Sequence, residues 1–315
     1  MFFRPAFRLV PDGTRIHFMR GRFAGLITSA VLSTASLVLF FQPGLNLGID
    51  FRGGIVMEVQ TPQPVPQAKV EAVLHAAHLP EPGVQRFGTA NDVLVRMPAQ
   101  NDEKATQQAA DHAREALVKA FPGTKILRTD AVGSSVSAEL FRNGLLALGL
   151  SLAMILVYIW VRFEWEFAIG AVVTLLLDVT KAIGFLAITR IEFNLVMVAA
   201  ILTVIGYSTN DKVVVYDRMR ENLRKYKKMP LRELIDLSIN ETLNRTLGTS
   251  MTVFLAALPL ALFGGPTLSG FAWVMLFGIV VGTSSSIFIA APILLLLGEK
   301  RLRREGVPAA KAARP

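Results

Sequence analysis

Four charged side chains stand inside otherwise apolar stretches of this 315-residue sequence: Asp178, Lys181, Asp211 and Lys212. A charge in a hydrocarbon layer is costly and marks a functional position by default. Asp178 and Lys181 are spaced i, i+3, which puts them on one helical face and lets them pair. Asp211 and Lys212 are adjacent, so they point about 100° apart and cannot share a face. Asp211 shares its face with Tyr207 and Ser208 one turn earlier and with Val214 and Val215 one turn later. A carboxylate between hydroxyls and apolar groups can alternate between neutral and charged as its surroundings change, which is what proton transport requires. A second reading of Asp211 is an interfacial residue snorkelling to water, since Arg218 follows about 10 Å along the helix. Asp178 and Lys181 read equally well as a neutralised pair of purely architectural value.

The elements that must carry these residues are membrane spans. The sequence is 52% hydrophobic and only 18% charged, where a soluble domain carries about a quarter charged residues. Six stretches reach or approach the roughly 20 apolar residues that cross a bilayer: 23–41, 143–161, 168–189, 193–216, 246–263 and 269–297. The first is longer than the roughly 7–15-residue core of a signal peptide. It leaves through Phe41-Gln42-Pro43-Gly44 without a small-x-small cleavage site, so it reads as a retained helix. Arg4, Arg8, Arg15, Arg20 and Arg22 precede it, Arg218 to Arg245 form a basic loop at 217–245, and Lys300 to Arg314 form a basic tail. Six spans place all three on one side, which the positive-inside rule makes cytoplasmic. Topology accounts for these basic runs, and no nucleic-acid partner is expected. There is no cysteine, which excludes disulfide and thiolate chemistry. His75 and His78 could face one metal from a helix, but no third ligand is in view. No cofactor or metal is expected, and nothing reads as an enzyme's catalytic residue.

The long segment at 42–138 alternates strand and helix signals. Residues 54–61 alternate as a strand, 66–78 read as a helix, Val84–Phe87 and Val93–Met97 as strands, 102–120 as a helix and Lys125–Val132 as a last strand. The order β-α-β-β-α-β predicts a small α+β ferredoxin-like domain. It is joined to the first span by Leu45-Asn46-Leu47-Gly48-Ile49-Asp50-Phe51-Arg52-Gly53-Gly54. Asp50 and Arg52 alternate with apolar residues, so both are expected on one face of an extended strand. With Gly53 and Gly54 beside them, they read either as a turn with a surface ion pair or as a coupling hinge between helix and domain. In the last span, Gly278, Gly282 and Thr283-Ser284-Ser285-Ser286 read as a tight helix-packing face.

Taken in order, these motifs resemble the SecF branch of the SecD/SecF family within the resistance-nodulation-division (RND) superfamily. The resemblance rests on Leu45–Gly54, on Ile205-Gly206-Tyr207-Ser208-Thr209-Asn210-Asp211 with Val213–Asn222, and on Glu241-Thr242-Leu243-Asn244-Arg245-Thr246. It extends to Leu262-Phe263-Gly264-Gly265-Pro266 and Gly282-Thr283-Ser284-Ser285. It implies six transmembrane helices forming half of an RND-type bundle, with an extracytoplasmic domain. The chain divides into a cytoplasmic tail at 1–22, a span at 23–41, the domain at 42–138, five spans at 139–297 and a tail at 298–315. The resemblance also implies a multi-pass inner-membrane subunit of a SecDF complex. Such a subunit assists preproteins through the SecYEG channel using the proton-motive force. The implied partners are a SecD-like subunit, SecYEG, the emerging preprotein and YajC. A fourth-helix aspartate and a fifth-helix arginine of the family carry over to Asp211 and Arg245, and Asp178 also matches a family aspartate. Lys212 stands where the family usually has a small hydroxyl residue, and Lys181 is likewise a departure. The alternative function is half of an RND-type exporter of lipids or small amphiphiles.

Overall fold

The computed structural model describes residues 10–11, 14–86, 89–100, 102–163 and 165–297. Residues 1–9 of the basic N-terminal tail, Phe87 of the expected second strand and the whole 298–315 tail lie outside the described residues. The described chain forms two units. One holds the helical bundle, and the other comprises Leu47–Ala147 and Glu192–Leu195.

In the bundle, a 3-10 turn at Phe18–Gly21 leads into α1 (Arg22–Phe41). A short helical turn, α2 (Ile49–Arg52), and the domain helices α3 (Gln67–Ala76) and α4 (Glu103–Ala120) follow in the chain. The remaining helices are α5 (Ser134–Arg162), α6 (Trp165–Thr189), α7 (Leu195–Lys225), α8 (Leu231–Phe263) and α9 (Gly265–Ser285). A π-helical turn at Ser286–Ala290 joins α9 to α10 (Ala291–Leu297). Among the described residues, six helices are long and apolar enough to cross a membrane, as expected. Several overrun the apolar stretches. The expected basic loop at 217–245 is mostly helix, and only 226–230 lies between α7 and α8. Arg, Lys, Glu and Leu are good helix formers wherever they sit, and Pro230 supplies the break.

Close approach in the bundle is made by small residues, since lipid provides no hydrophobic drive between helices. The buried face of α1 is Ser29, Ser33 and Ser36. A Cβ on Gly184 of α6 would come 2.1 Å from the Ser36 hydroxyl oxygen and 2.9 Å from its Cα. On α9, a Cβ at Gly278 would meet Val204 at 2.3 Å. Both pairs hold only with glycine present.

The second unit is the expected ferredoxin-like sandwich. Strands β1 (Gly54–Gln60), β2 (Gly83–Arg86), β3 (Asp92–Met97) and β4 (Lys125–Val132) form one antiparallel sheet in the order β2-β3-β1-β4. Each helix crossover spans one intervening strand, giving two interleaved split β-α-β units. Ile55, Met57 and Val59 alternate inward and meet Val70 and Leu74 of α3 and Ala110, Ala113 and Leu117 of α4. The β1–β4 register shifts between Glu58 and Val59, so Leu127 is an extra residue on β4.

Asp92 opens β3 and gathers three hydrogen bonds, from the Thr89 hydroxyl (2.7 Å), the Thr89 amide (3.1 Å) and the Gln60 side-chain amide (3.0 Å). The Thr89 hydroxyl first, then the Thr89 amide and Gln60, hold its carboxyl below the usual range. The stabilisation is therefore present above about pH 4, the ordinary carboxylate value, and is lost as pH falls through the lower native value. Asp92→Asn is expected to flatten the acid limb of the domain's unfolding curve. An unchanged limb, followed by circular dichroism from pH 6 to 2, would contradict this.

Candidate functional site

Two polar clusters lie within the bundle, built by α6, α7, α8 and α9. The first centres on Asp178, which is 3% exposed. Its Oδ2 accepts from the Lys212 ammonium at 3.0 Å, the Ser208 hydroxyl at 2.8 Å and the Ser285 hydroxyl at 2.7 Å. Its Oδ1 faces Lys181 Nζ at 3.7 Å. The nearer ion-pair partner is thus Lys212, one helix away, and the i, i+3 partner is the looser one. Lys212 is fully buried. It also donates to the Ser208 hydroxyl, to the Ser208 carbonyl at 3.3 Å and to the Ser285 hydroxyl at 3.3 Å. An ammonium stripped of water needs this many oxygens to offset its desolvation.

The second cluster ends on Asp211, which is 1% exposed. Its Oδ2 accepts from the Thr283 hydroxyl of α9 at 3.2 Å. Thr283 shares a hydrogen bond of 2.7 Å with Ser250 of α8, which in turn accepts from the Tyr207 hydroxyl of α7 at 2.6 Å. Tyr207 and Ser208 share the helical face of Asp211 but do not bond it directly. Ser208 is committed to Asp178, and Tyr207 reaches Asp211 only through Ser250 and Thr283. Asp211 and Lys212 diverge as their 100° offset requires, one toward α9's Thr283 and the other toward Asp178. Thr283 and Ser285, two residues apart and so about 200° around α9, serve different aspartates.

Arg245 is not drawn into either cluster. It is exposed on α8 and forms no ion pair among the described residues; its carbonyl accepts from Thr249. The sequence marks Thr283 and Ser285 only as part of a packing face and does not single out Ser250. Their side chains were visible as a hydroxyl run, but a run does not reveal which helix it faces. Glu166, 2% exposed in the first turn of α6, lies just outside the apolar stretch at 168–189, which hides its burial from a hydropathy reading.

The junction after α1 differs from expectation. Residues 49–52 form the helical turn α2, so Asp50 and Arg52 point about 200° apart rather than to one face. No Asp50–Arg52 ion pair forms. Asp50 Oδ2 instead accepts from the Leu195 amide at 2.9 Å, capping α7 from a distant segment. Arg52 is exposed. Gly53 and Gly54 have φ of 73° and 132°, a region that side chains disfavour. A Cβ on Gly54 would also stand 2.6 Å from the Met97 carbonyl oxygen.

Comparison with known proteins places this arrangement. The description "Protein export membrane protein SecD/SecF, C-terminal" fits residues 112–300, and the "SecD/SecF GG Motif" fits residues 38–65. The protein translocase subunit SecF of Rickettsia bellii is 42% identical over 94% of this chain and 98% of its own length. That of Rickettsia prowazekii is 42% identical over 96% of this chain and 98% of its own. The crystal structure of SecDF from Thermus thermophilus, described as a translocon-associated membrane protein, superposes with a TM-score of 0.81 at 31% identity. That match covers 93% of this chain, which spans only 40% of the length of the SecDF chain. Six apolar helices, a ferredoxin-like sandwich after the first of them, and 42% identity over nearly all of the relatives' length agree, and the chain belongs to the SecF branch of the SecD/SecF family of protein-export membrane proteins.

Proposed function

We propose that this chain is the SecF-type subunit of an inner-membrane protein translocase, and that proton movement through its bundle assists preprotein export. The observation that carries the reading is Asp211, a carboxylate almost fully removed from solvent at the end of the Tyr207–Ser250–Thr283 hydroxyl chain. Hydroxyls both donate and accept, so such a chain can pass a proton to a carboxylate that lies out of reach of bulk water. Asp178, Lys181 and Lys212 supply the surrounding charge, and Arg245 lies on the helix that contributes Ser250. Lys212 turns toward Asp178, so the cation next to Asp211 in sequence is engaged elsewhere.

In this reading the basic segments, including 217–245, face the cytoplasm with both termini. The domain at 42–138 faces the opposite side, where it meets emerging polypeptide. The partners are a SecD-like subunit supplying the second half of the bundle, the SecYEG channel and YajC. Each elementary charge crossing the membrane field supplies about 2.3 kcal/mol per 100 mV, so a few protons suffice to bias a domain motion.

The test is Asp211→Asn in vesicles that contain the SecD-like subunit and the channel. Secretion of a preprotein is measured with the proton gradient present and collapsed. The variant is expected to secrete under a full gradient only as well as the unaltered protein does without one. Retention of the full gradient response would remove Asp211 from the coupling path.

A further inference from the structure

Phe18 and Met19 pack into the bundle core with Leu231 and Ile235 of α8. The backbone around them is tied to the same helix. The Ile16 amide donates to Asn240 Oδ1 at 3.0 Å, and the Ile16 carbonyl accepts from Asn240 Nδ2 at 2.9 Å. The Met19 amide donates to the buried Asp236 Oδ1 at 2.8 Å. A pocket of about 650 Å³ opens between this fixed segment and the start of α8, and Tyr226 also lines it.

Three arginines line the pocket: Arg15 and Arg20 from the N-terminal segment and Arg232 from α8. Its acids are Glu233 and Asp236. Asp236 is engaged by the Met19 amide and faces His17 Nδ1 at 3.9 Å. Among the described residues, the three guanidinium groups form no ion pair. Their paired N–H donors match the oxygens of a phosphate group. The pocket lies where α1 enters the apolar layer. From Arg20, Phe23, Ile27 and Val31 follow at steps of three, four and four residues, so they continue one face of the helix. These three side chains are 57%, 62% and 61% exposed. An anion-binding pocket at the head of an uncovered apolar stripe fits a ligand with a charged head and apolar tails, and basic pockets beside membrane helices hold lipid headgroups in this way. A soluble anion would leave the stripe unused.

We propose that this pocket binds the phosphate headgroup of an anionic phospholipid through Arg15, Arg20 and Arg232, with the acyl chains lying along Phe23, Ile27 and Val31. The pocket shares no residue with the Asp178 and Asp211 clusters, so the site stands whether or not the bundle conducts protons. The test is retention of radiolabelled dioleoylphosphatidylglycerol by the full chain in detergent. The competitors are unlabelled dioleoylphosphatidylglycerol, dioleoylphosphatidylcholine, inorganic phosphate and a hexaglutamate peptide, all at one concentration. Only the first is expected to displace the label. Arg20→Gln and Arg232→Gln are each expected to weaken binding roughly fivefold. Both side chains are exposed, and an unchanged size-exclusion profile shows that the fold is kept. The double variant Lys227→Gln, Lys228→Gln removes two charges from the neighbouring loop outside the pocket lining and is expected to bind as the unaltered chain does. Equal weakening by the lysine variant would reduce the attraction to diffuse surface charge and overturn the proposal. Equal displacement by phosphatidylcholine would remove the role of the anionic headgroup. Displacement by inorganic phosphate or by the peptide would make this a site for soluble anions and refute the lipid assignment.

Discussion

Asp178→Ala is expected to cost the bundle about 3–5 kcal/mol, the range for breaking a buried ion pair from one side. That is a large share of the 5–15 kcal/mol that holds a typical domain together, so little folded protein should accumulate. The cause is the stranded partner. Lys212 has no exposed surface, and Asp178 is its only anionic contact among its hydrogen-bond partners. Removing the carboxylate also strips Lys181, which is 5% exposed. Lys212→Met should be milder, because Asp178 keeps Lys181 at 3.7 Å and the Ser208 and Ser285 hydroxyls. Lys181→Met should be mildest, since the 3.0 Å pair survives it. The triple variant with Leu at 178, Leu at 181 and Met at 212 should regain much of the loss, because well-packed apolar groups often replace buried ion pairs without penalty. Thermal unfolding of the detergent-solubilised variants ranks them. Equal losses for Asp178→Ala and Lys181→Met would mean that the cluster is not organised around Asp178.

Gly54→Ala should be the most damaging single change in the α+β unit. Two terms add. The backbone φ of 132° lies where only glycine is comfortable, at about 1–3 kcal/mol for another residue. The new Cβ would press to 2.6 Å on the Met97 carbonyl oxygen, a backbone atom held by the β1–β3 ladder. Overpacking of this kind adds about 1–3 kcal/mol. Gly53→Ala should cost less, because its φ of 73° is close to the left-handed helical region that other residues reach at roughly 1–2 kcal/mol. Its nearest neighbour is the Ala99 methyl group at 3.0 Å. Proteolytic sensitivity of the full chain within 54–132 distinguishes the two. Similar cleavage rates would show that the carbonyl clash is relieved by a small shift.

Most of the α+β unit was legible from the residues. Alternation in Ile55–Gln60 and Val93–Met97 fixes which side chains meet the helices, and the order of strand and helix signals leaves few topologies for so short a segment. The extra residue at Leu127 was not legible, because a bulge shifts register without changing composition. The long helical ends of α7 and α8 were hidden for a different reason. A hydropathy window registers the charge on Asp217–Lys225 and Arg232–Arg245 but not their helix propensity. Asp50 was misplaced because alternation over four residues between Gly48 and Gly53 does not separate a strand from one turn of helix. At the bundle, the divergence of Asp211 and Lys212 follows from helix geometry alone. That Thr283 faces one aspartate and Ser285 the other depends on which helices are neighbours, and the sequence of separate spans carries no such information.

The bond between Ser250 and Thr283 can be drawn with either oxygen as donor. The row of hydroxyls from Tyr207 to Thr283 therefore has two headings, toward Asp211 when its carboxylate is ionised and away from it when it carries a proton, each with the same partners. On the proposed role, nothing in these side chains acts as a one-way valve. The sense of traffic is set by whichever side of the membrane is richer in protons, and inverting that difference should run the apparatus backward.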